Sequence, residues 1–187
     1  MIPIRNRKKT LKVTVEEMRN FALAYVEKYA PSKQQLKTYL LKKYLKTSVP
    51  NVKKKDVNDL IDIVLSNLEK NRFINDKFYS DSKAKSMIQR GNSINKIRNY
   101  LIGKGINNEL IKDTVNKIQD ENSDQDFFSA IKICKKKRIG PARTEDNRPL
   151  FYKKDISLLA RNGFDFQTSK KIMDLEKEDY LKIIKLL

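Results

Sequence analysis

Between Val57 and Leu68 the apolar residues Val57, Leu60, Ile61, Val64, Leu65 and Leu68 recur at three- and four-residue intervals, with mostly polar residues between them. That spacing puts all six on one face of an α-helix, which turns once every ~3.6 residues. A strand would need alternation at every second residue, which the segment lacks. Similar spacing runs through most of the 187-residue chain, and glycine or proline separates the periodic runs at Pro31, Pro50, Gly91, Gly103, Gly105, Gly140, Pro141, Pro149 and Gly163. The expected fold class is therefore all-α.

Capping signals set the boundaries. Thr14-Val15-Glu16-Glu17 and Ser32-Lys33-Gln34-Gln35 both have the form in which two side chains, three residues apart, satisfy each other's free backbone N–H groups at a helix start. The first opens a helix with Met18, Phe21, Ala22, Tyr25, Val26 and Tyr29 on one face, ending near Ala30-Pro31. The second opens one with Leu36, Leu40 and Tyr44. Further helices are expected at about 76–89, from Ile94, after an Asn107 cap, over 124–137, and through Ile156 and Leu159 and then Ile172 and Met173, with a loop over 138–150. Leu36-x-x-Tyr39-Leu40, Ile97-x-x-Tyr100-Leu101 and Ile156-x-x-Leu159-Ala160 align at separations of 61 and 59 residues. The helix ends Gly105-Ile106 and Gly163-Phe164 match too, with a glycine free to take the left-handed conformation that stops a helix. Tyr44-Leu45 interrupts that pattern in the first copy. The expected organisation is a basic flexible arm (1–14) and three three-helix repeats at 15–75, 76–123 and 124–187, the last with the internal loop and a C-terminal tail.

Lys and Arg number 41 against 23 Asp and Glu, for a net charge of +18. No segment owns the excess, which is +5 over 1–14, +5 over 15–75, +3 over 76–123 and +5 over 124–187. Such a spread suits a long polyanion better than a small anionic ligand. Lysine outnumbers arginine 31 to 10, which favours point-charge contacts with phosphate over bidentate reading of base edges. The absence of histidine removes imidazole bases, Ser-His-Asp and Cys-His nucleophiles and His-containing metal sites. The single cysteine, Cys134, falls on an apolar stripe and reads as core. Gly103-Lys104-Gly105 is too short for a phosphate loop and follows a helix instead of a strand. No catalytic residue, cofactor or metal is expected, and the chain reads as a non-enzyme. Apolar runs fall far short of the ~20 residues that span a bilayer, and the start lacks a secretory block. A soluble, cytoplasmic monomer is expected, since stacked repeats bury their stripes against one another.

The candidate polyanion-facing residues are cations at helix ends. Lys135, Lys136, Lys137 and Arg138 form the densest run, at a helix C-terminus where positive charge also complements the dipole. Arg90, Lys96, Arg98 and Lys104 surround the middle helix of the second repeat, and Arg161 stands near the matching helix end of the third. The eight tyrosines and eight phenylalanines mostly lie on helix stripes and read as core residues, not base-stacking platforms.

Several strings in order resemble the RecX family of bacterial recombinase regulators. Ala22-Leu23-Ala24-Tyr25-Val26 followed by Ser32-x-x-Gln35-Leu36 is similar to that family's opening pattern. Leu68 to Phe73-Ile74-Asn75-Asp76-x-x-Tyr79, Arg90-Gly91, Lys104-Gly105-Ile106, Lys136-Lys137-Arg138-Ile139-Gly140 and Leu159-Ala160-Arg161-Asn162-Gly163-Phe164 continue it. Arg72 stands where the family usually has glycine, Asn75 replaces an aspartate and Asn162 an arginine. The resemblance implies three tandem three-helix repeats in an elongated, curved molecule. It also implies a regulator that binds the RecA filament on single-stranded DNA and mainly inhibits RecA's ATPase, strand-exchange and coprotease activities, contacting single- and double-stranded DNA as well. The competing reading of the residues is an autonomous basic helical DNA-binding protein.

Overall fold

A computed structural model of the chain describes residues 11–46 and 53–187. Among the described residues there are ten α-helices, one turn of 3-10 helix and no strand, so the fold is all-α. The helices are α1 (Val15–Tyr29), α2 (Lys33–Lys46), α3 (Lys54–Lys70), α4 (Asp76–Gln89), α5 (Ile94–Gly103), α6 (Asn108–Glu121), α7 (Gln125–Lys137), α8 (Asn147–Arg161), α9 (Phe166–Met173) and α10 (Lys177–Leu186). They fall into two compact units, one ending at Tyr79 and one beginning at Ser80.

In the first unit α1, α2 and α3 pack against one another through the stripes read from sequence. Met18 and Ala22 of α1 meet Leu36, Leu40 and Tyr44 of α2 and Val57, Ile61, Val64, Leu65 and Leu68 of α3, and Ile74 closes the end. Each fully buried leucine or isoleucine contributes roughly 1.5–3 kcal/mol. The Ser32 capping box is complete: Gln35 N–H donates to Ser32 Oγ at 3.2 Å and Ser32 N–H to Gln35 Oε1 at 3.1 Å. At Thr14, Glu17 N–H donates to the hydroxyl at 3.3 Å, whereas Glu17 Oε2 is buried with no hydrogen-bond partner among the described residues. Of the expected arm, residues 1–10 lie outside the described residues; Leu11 and Val13 at its end pack on the unit's core.

One docking device appears in both units. The first N–H of α2, at Lys33, donates to Asp76 Oδ1 at 2.8 Å, and the first N–H of α5, at Ile94, donates to Asp126 Oδ1 at 2.8 Å. Each aspartate lies in the first turn of a helix from further along the chain, and each receiving helix is capped by a serine, Ser32 or Ser93. Burial pushes both carboxyls above their ordinary range, because it opposes the charge more strongly than the donated N–H supports it.

The second unit centres on Ala130, Ile131, Ile133 and Cys134 of α7, with Leu159, Phe164, Ile172, Met173 and Tyr180 around them. Two sequence expectations need correction here. The loop expected over 138–150 contains a 3-10 turn at Gly140–Ala142 and yields to α8 at Asn147. Pro149 did not mark a loop: it is the third residue of α8, in a first turn whose N–H groups have no partner within the helix. The end of the chain, expected as a tail on the third repeat, is α10, whose Tyr180 is buried against α7.

Candidate nucleic-acid interface

The nine cations singled out from sequence all lie in the second unit. Arg90 precedes Gly91, which seats the α4–α5 turn on α7: a Cβ there would stand 3.0 Å from Lys132 Cβ and from the Ser129 carbonyl oxygen. Lys135, Lys136 and Lys137 occupy the last turn of α7, and Arg138 ends it in the left-handed conformation at φ 54°. Arg161 is the last residue of α8.

The structure joins two of these places through hydrogen bonds. Ser93 Oγ accepts from the Lys96 N–H at 3.1 Å as the N-cap of α5 and donates to the Asn162 carbonyl at 2.8 Å, just past the end of α8. Lys96 Nζ donates to Asn162 Oδ1 at 3.1 Å, and Asn95 Nδ2 to the Gly163 carbonyl at 3.3 Å. Lys96 is therefore a clamp between two helix termini, while Arg161, the last residue of α8, is exposed. The clamp needs Gly163: at φ 88°, a Cβ on it would lie 2.4 Å from Ser93 Oγ. The Gly163-Phe164 end closes as its sequence predicts. Phe164 N–H donates to the Leu159 carbonyl and Gly163 N–H to that of Ala160, satisfying two otherwise free groups. Gly105-Ile106 closes α5 in the same way.

Arg90, Arg98, Lys135, Lys136, Lys137, Arg138 and Arg161 are exposed and form no ion pair with any described residue. Lys104 is half-buried, with its ammonium 5.1 Å from the Tyr100 ring centroid. Other cations are consumed by the fold. Arg143 grips the buried Asp155 through two bonds of 2.6 and 2.9 Å, while the Gly140 N–H donates to the same carboxylate at 2.8 Å. Burial alone would raise the Asp155 carboxyl, but these bonds outweigh it and hold the group below its ordinary range. Arg148 caps the end of α9 by donating to the Met173 and Leu175 carbonyls at 2.7 and 2.6 Å, and Lys177 donates to those of Pro141 and Arg143. Cys134 is fully buried and its thiol is pushed up to about 12, so it is no nucleophile.

No family model matches the chain. Over 177 residues it is 32% identical to regulatory protein RecX of Myxococcus xanthus (strain DK1622), covering 91% of each protein. The chain belongs to the RecX family. It is also 34% identical over 125 residues to regulatory protein RecX of Lactococcus lactis subsp. cremoris (strain MG1363), covering 64% of this chain and 44% of that longer protein. The crystal structure of a regulatory protein RecX matches with a TM-score of 0.60 at 20% identity, over 86% of this chain and 74% of that one, which shows a shared helical fold. The RecX relatives are named as regulators, not for a reaction. Among the described residues of this RecX-family chain, no group of three or more Cys, Asp or Glu could hold a metal ion, and no helix is long and apolar enough to cross a membrane.

Proposed function

We propose that this chain is a non-catalytic, cytoplasmic regulator that binds the RecA filament on single-stranded DNA and restrains RecA's ATP hydrolysis, strand exchange and coprotease activity. The observation that carries the reading is the set of seven exposed cations in the second unit that form no ion pair with a described residue, six at or next to helix ends and Arg98 in the middle of α5, in a chain similar along 91% of its length to a RecX relative. A folded protein gains little from leaving so many cations unpaired, whereas a phosphate lattice rewards them through counterion release. The matching serine caps and aspartate acceptors at α2 and α5 support the reading of tandem repeats. On this reading Arg90, Lys96, Arg98, Lys104, Lys135 to Arg138 and Arg161 form part of the filament-facing surface, and Lys96 also ties the start of α5 to Asn162.

The test is RecA ATP hydrolysis on single-stranded DNA, titrated with this protein well below the nucleotide concentration and compared with a salt-matched basic protein. Inhibition at substoichiometric levels, lost when Arg90, Arg98, Arg161 and the 135–138 run are reversed to glutamate, is the expected result. Unchanged filament binding by the reversed protein at moderate salt would refute the assigned surface. Inhibition only at levels that coat the DNA would favour an autonomous DNA-binding protein.

A further inference from the structure

Residues 69–79, at the junction of α3 and α4, divide into those the fold uses and those it leaves over. Ile74 and Tyr79 are buried at 4% and 6% exposure. Glu69 accepts from Lys33 Nζ at 2.6 Å and Asp76 from the Lys33 N–H at 2.8 Å, so both acids of the junction are turned onto α2. Asn71 donates to the Asn67 carbonyl, and Asn75 Oδ1 caps α4 by accepting from the Phe78 N–H. The remainder is Phe73 and Phe78, 50% and 70% exposed, and the exposed cations Lys70, Arg72 and Lys77, none of which forms an ion pair with a described residue. Single exposed apolar residues are ordinary. Two phenylalanines five positions apart, each next to a buried apolar neighbour that already does the packing and accompanied by three cations without an ion pair among the described residues, are a different case.

Arg72 adds an independent observation. It ends α3 in the left-handed conformation at φ 59°, its N–H donating to the Glu69 carbonyl and that of Phe73 to Leu68, the arrangement glycine supplies at Gly105 and Gly163. A side chain is strained there, and among the described residues the guanidinium forms no ion pair. The strained turn sets an arginine beside an exposed aromatic ring.

We propose that Phe73 and Phe78, framed by Lys70, Arg72 and Lys77, form a stacking platform for the bases of a single nucleic-acid strand. Every base has a π-face, so aromatic stacking tolerates any sequence, while the cations hold the adjoining phosphates. The local charge fits that occupant and opposes a basic partner. This assigns a nucleic-acid contact to the first unit, apart from the helix-end cations of the second. It deepens the reading that the chain works at single-stranded DNA.

The experiment uses the whole protein, with strand binding measured without RecA and each variant then assayed for its effect on RecA ATP hydrolysis. Fluorescence anisotropy compares a labelled oligothymidylate with an abasic strand of the same length. Wild type should prefer the base-bearing strand, and Phe78→Ala should weaken that binding about tenfold while leaving the abasic strand unaffected. Phe78→Tyr, which keeps a ring, should restore it. Replacing Lys70, Arg72 and Lys77 with Gln should weaken both strands alike and flatten the salt dependence by up to about two in log–log slope. Equal wild-type affinity for the two strands, or unchanged binding by the Phe73→Ala/Phe78→Ala double variant, overturns the platform. A double variant that binds oligonucleotide normally but no longer affects RecA also overturns it, assigning the rings to a protein contact. Ring-dependent binding by a protein without effect on RecA would leave the platform standing and refute the filament reading.

Discussion

Gly163→Ala is a stringent test of the packing that joins α5 to the end of α8. At φ 88° any Cβ is strained, at about 1–2 kcal/mol. The added methyl would also stand 2.4 Å from Ser93 Oγ and 3.2 Å from the Lys96 backbone nitrogen, so Ser93 must move. Ser93 then loses its N-cap bond from Lys96 and its bond to the Asn162 carbonyl. A lost cap costs about 1 kcal/mol and a lost buried hydrogen bond about as much again. Together these predict destabilisation by about 3–4 kcal/mol, with some relief where the backbone shifts. Urea unfolding followed by far-UV circular dichroism suits a chain with no tryptophan. Gly103→Ala is the matched control, since its Cβ would meet nothing within 4 Å and it ends α5 with ordinary backbone. It should be neutral or stabilise by up to about 1 kcal/mol. A Gly163→Ala protein within 1 kcal/mol of wild type at equal m, or indistinguishable from Gly103→Ala, would refute the reasoning.

Two further changes probe other parts of the fold. Arg72→Gly removes the ~1–2 kcal/mol of left-handed strain at the end of α3 but adds the unfolded-state freedom of glycine, so a net gain of about 0.5–1 kcal/mol is expected in the same urea assay; a loss would mean that the arginine side chain supports the turn. Asp155→Ala leaves the Gly140 N–H and the Arg143 guanidinium without their acceptor, and because Arg143 can reach water at 22% exposure the cost should be about 3 kcal/mol, the low end for breaking a buried pair. The folded carboxyl is held below its ordinary value, so its contribution is fully present above the unfolded pKa of about 3.9 and lost as pH falls through the lower folded value. Urea midpoints of wild type and Asp155→Ala should therefore converge below about pH 4; an unchanged gap would exclude Asp155 as the titrating group.

Much of the helical scaffold is legible in the sequence because its signals are local. Ser32-x-x-Gln35 closes as a reciprocal cap, Asn107 caps α6 through the Leu110 N–H, and Gly163-Phe164 stops α8, each using groups within a few residues of one another. The start of α8 was missed because Pro149 reads as a loop signal and only its place in the first turn makes it compatible with a helix. α10 was missed although Tyr180, Ile183 and Ile184 carry helical spacing, because a single short stripe at a chain end has no partner in sequence that demands its burial.

The site was legible only in part. Sequence determined that the chain is helical, strongly basic and without histidine, because composition and periodicity are sums over local facts. Tertiary structure decided which charges remain to be used. Arg143, Arg148 and Lys177 look like Arg138 and Arg161 in the sequence, yet the first three are spent on Asp155 and on backbone carbonyls far along the chain while the last two stay in water. The same holds for the aromatic residues: Tyr79 is buried and Phe78 beside it is not. Whether a side chain is spent on the fold or left for a partner depends on groups brought to it from distant positions, and no local pattern carries that information.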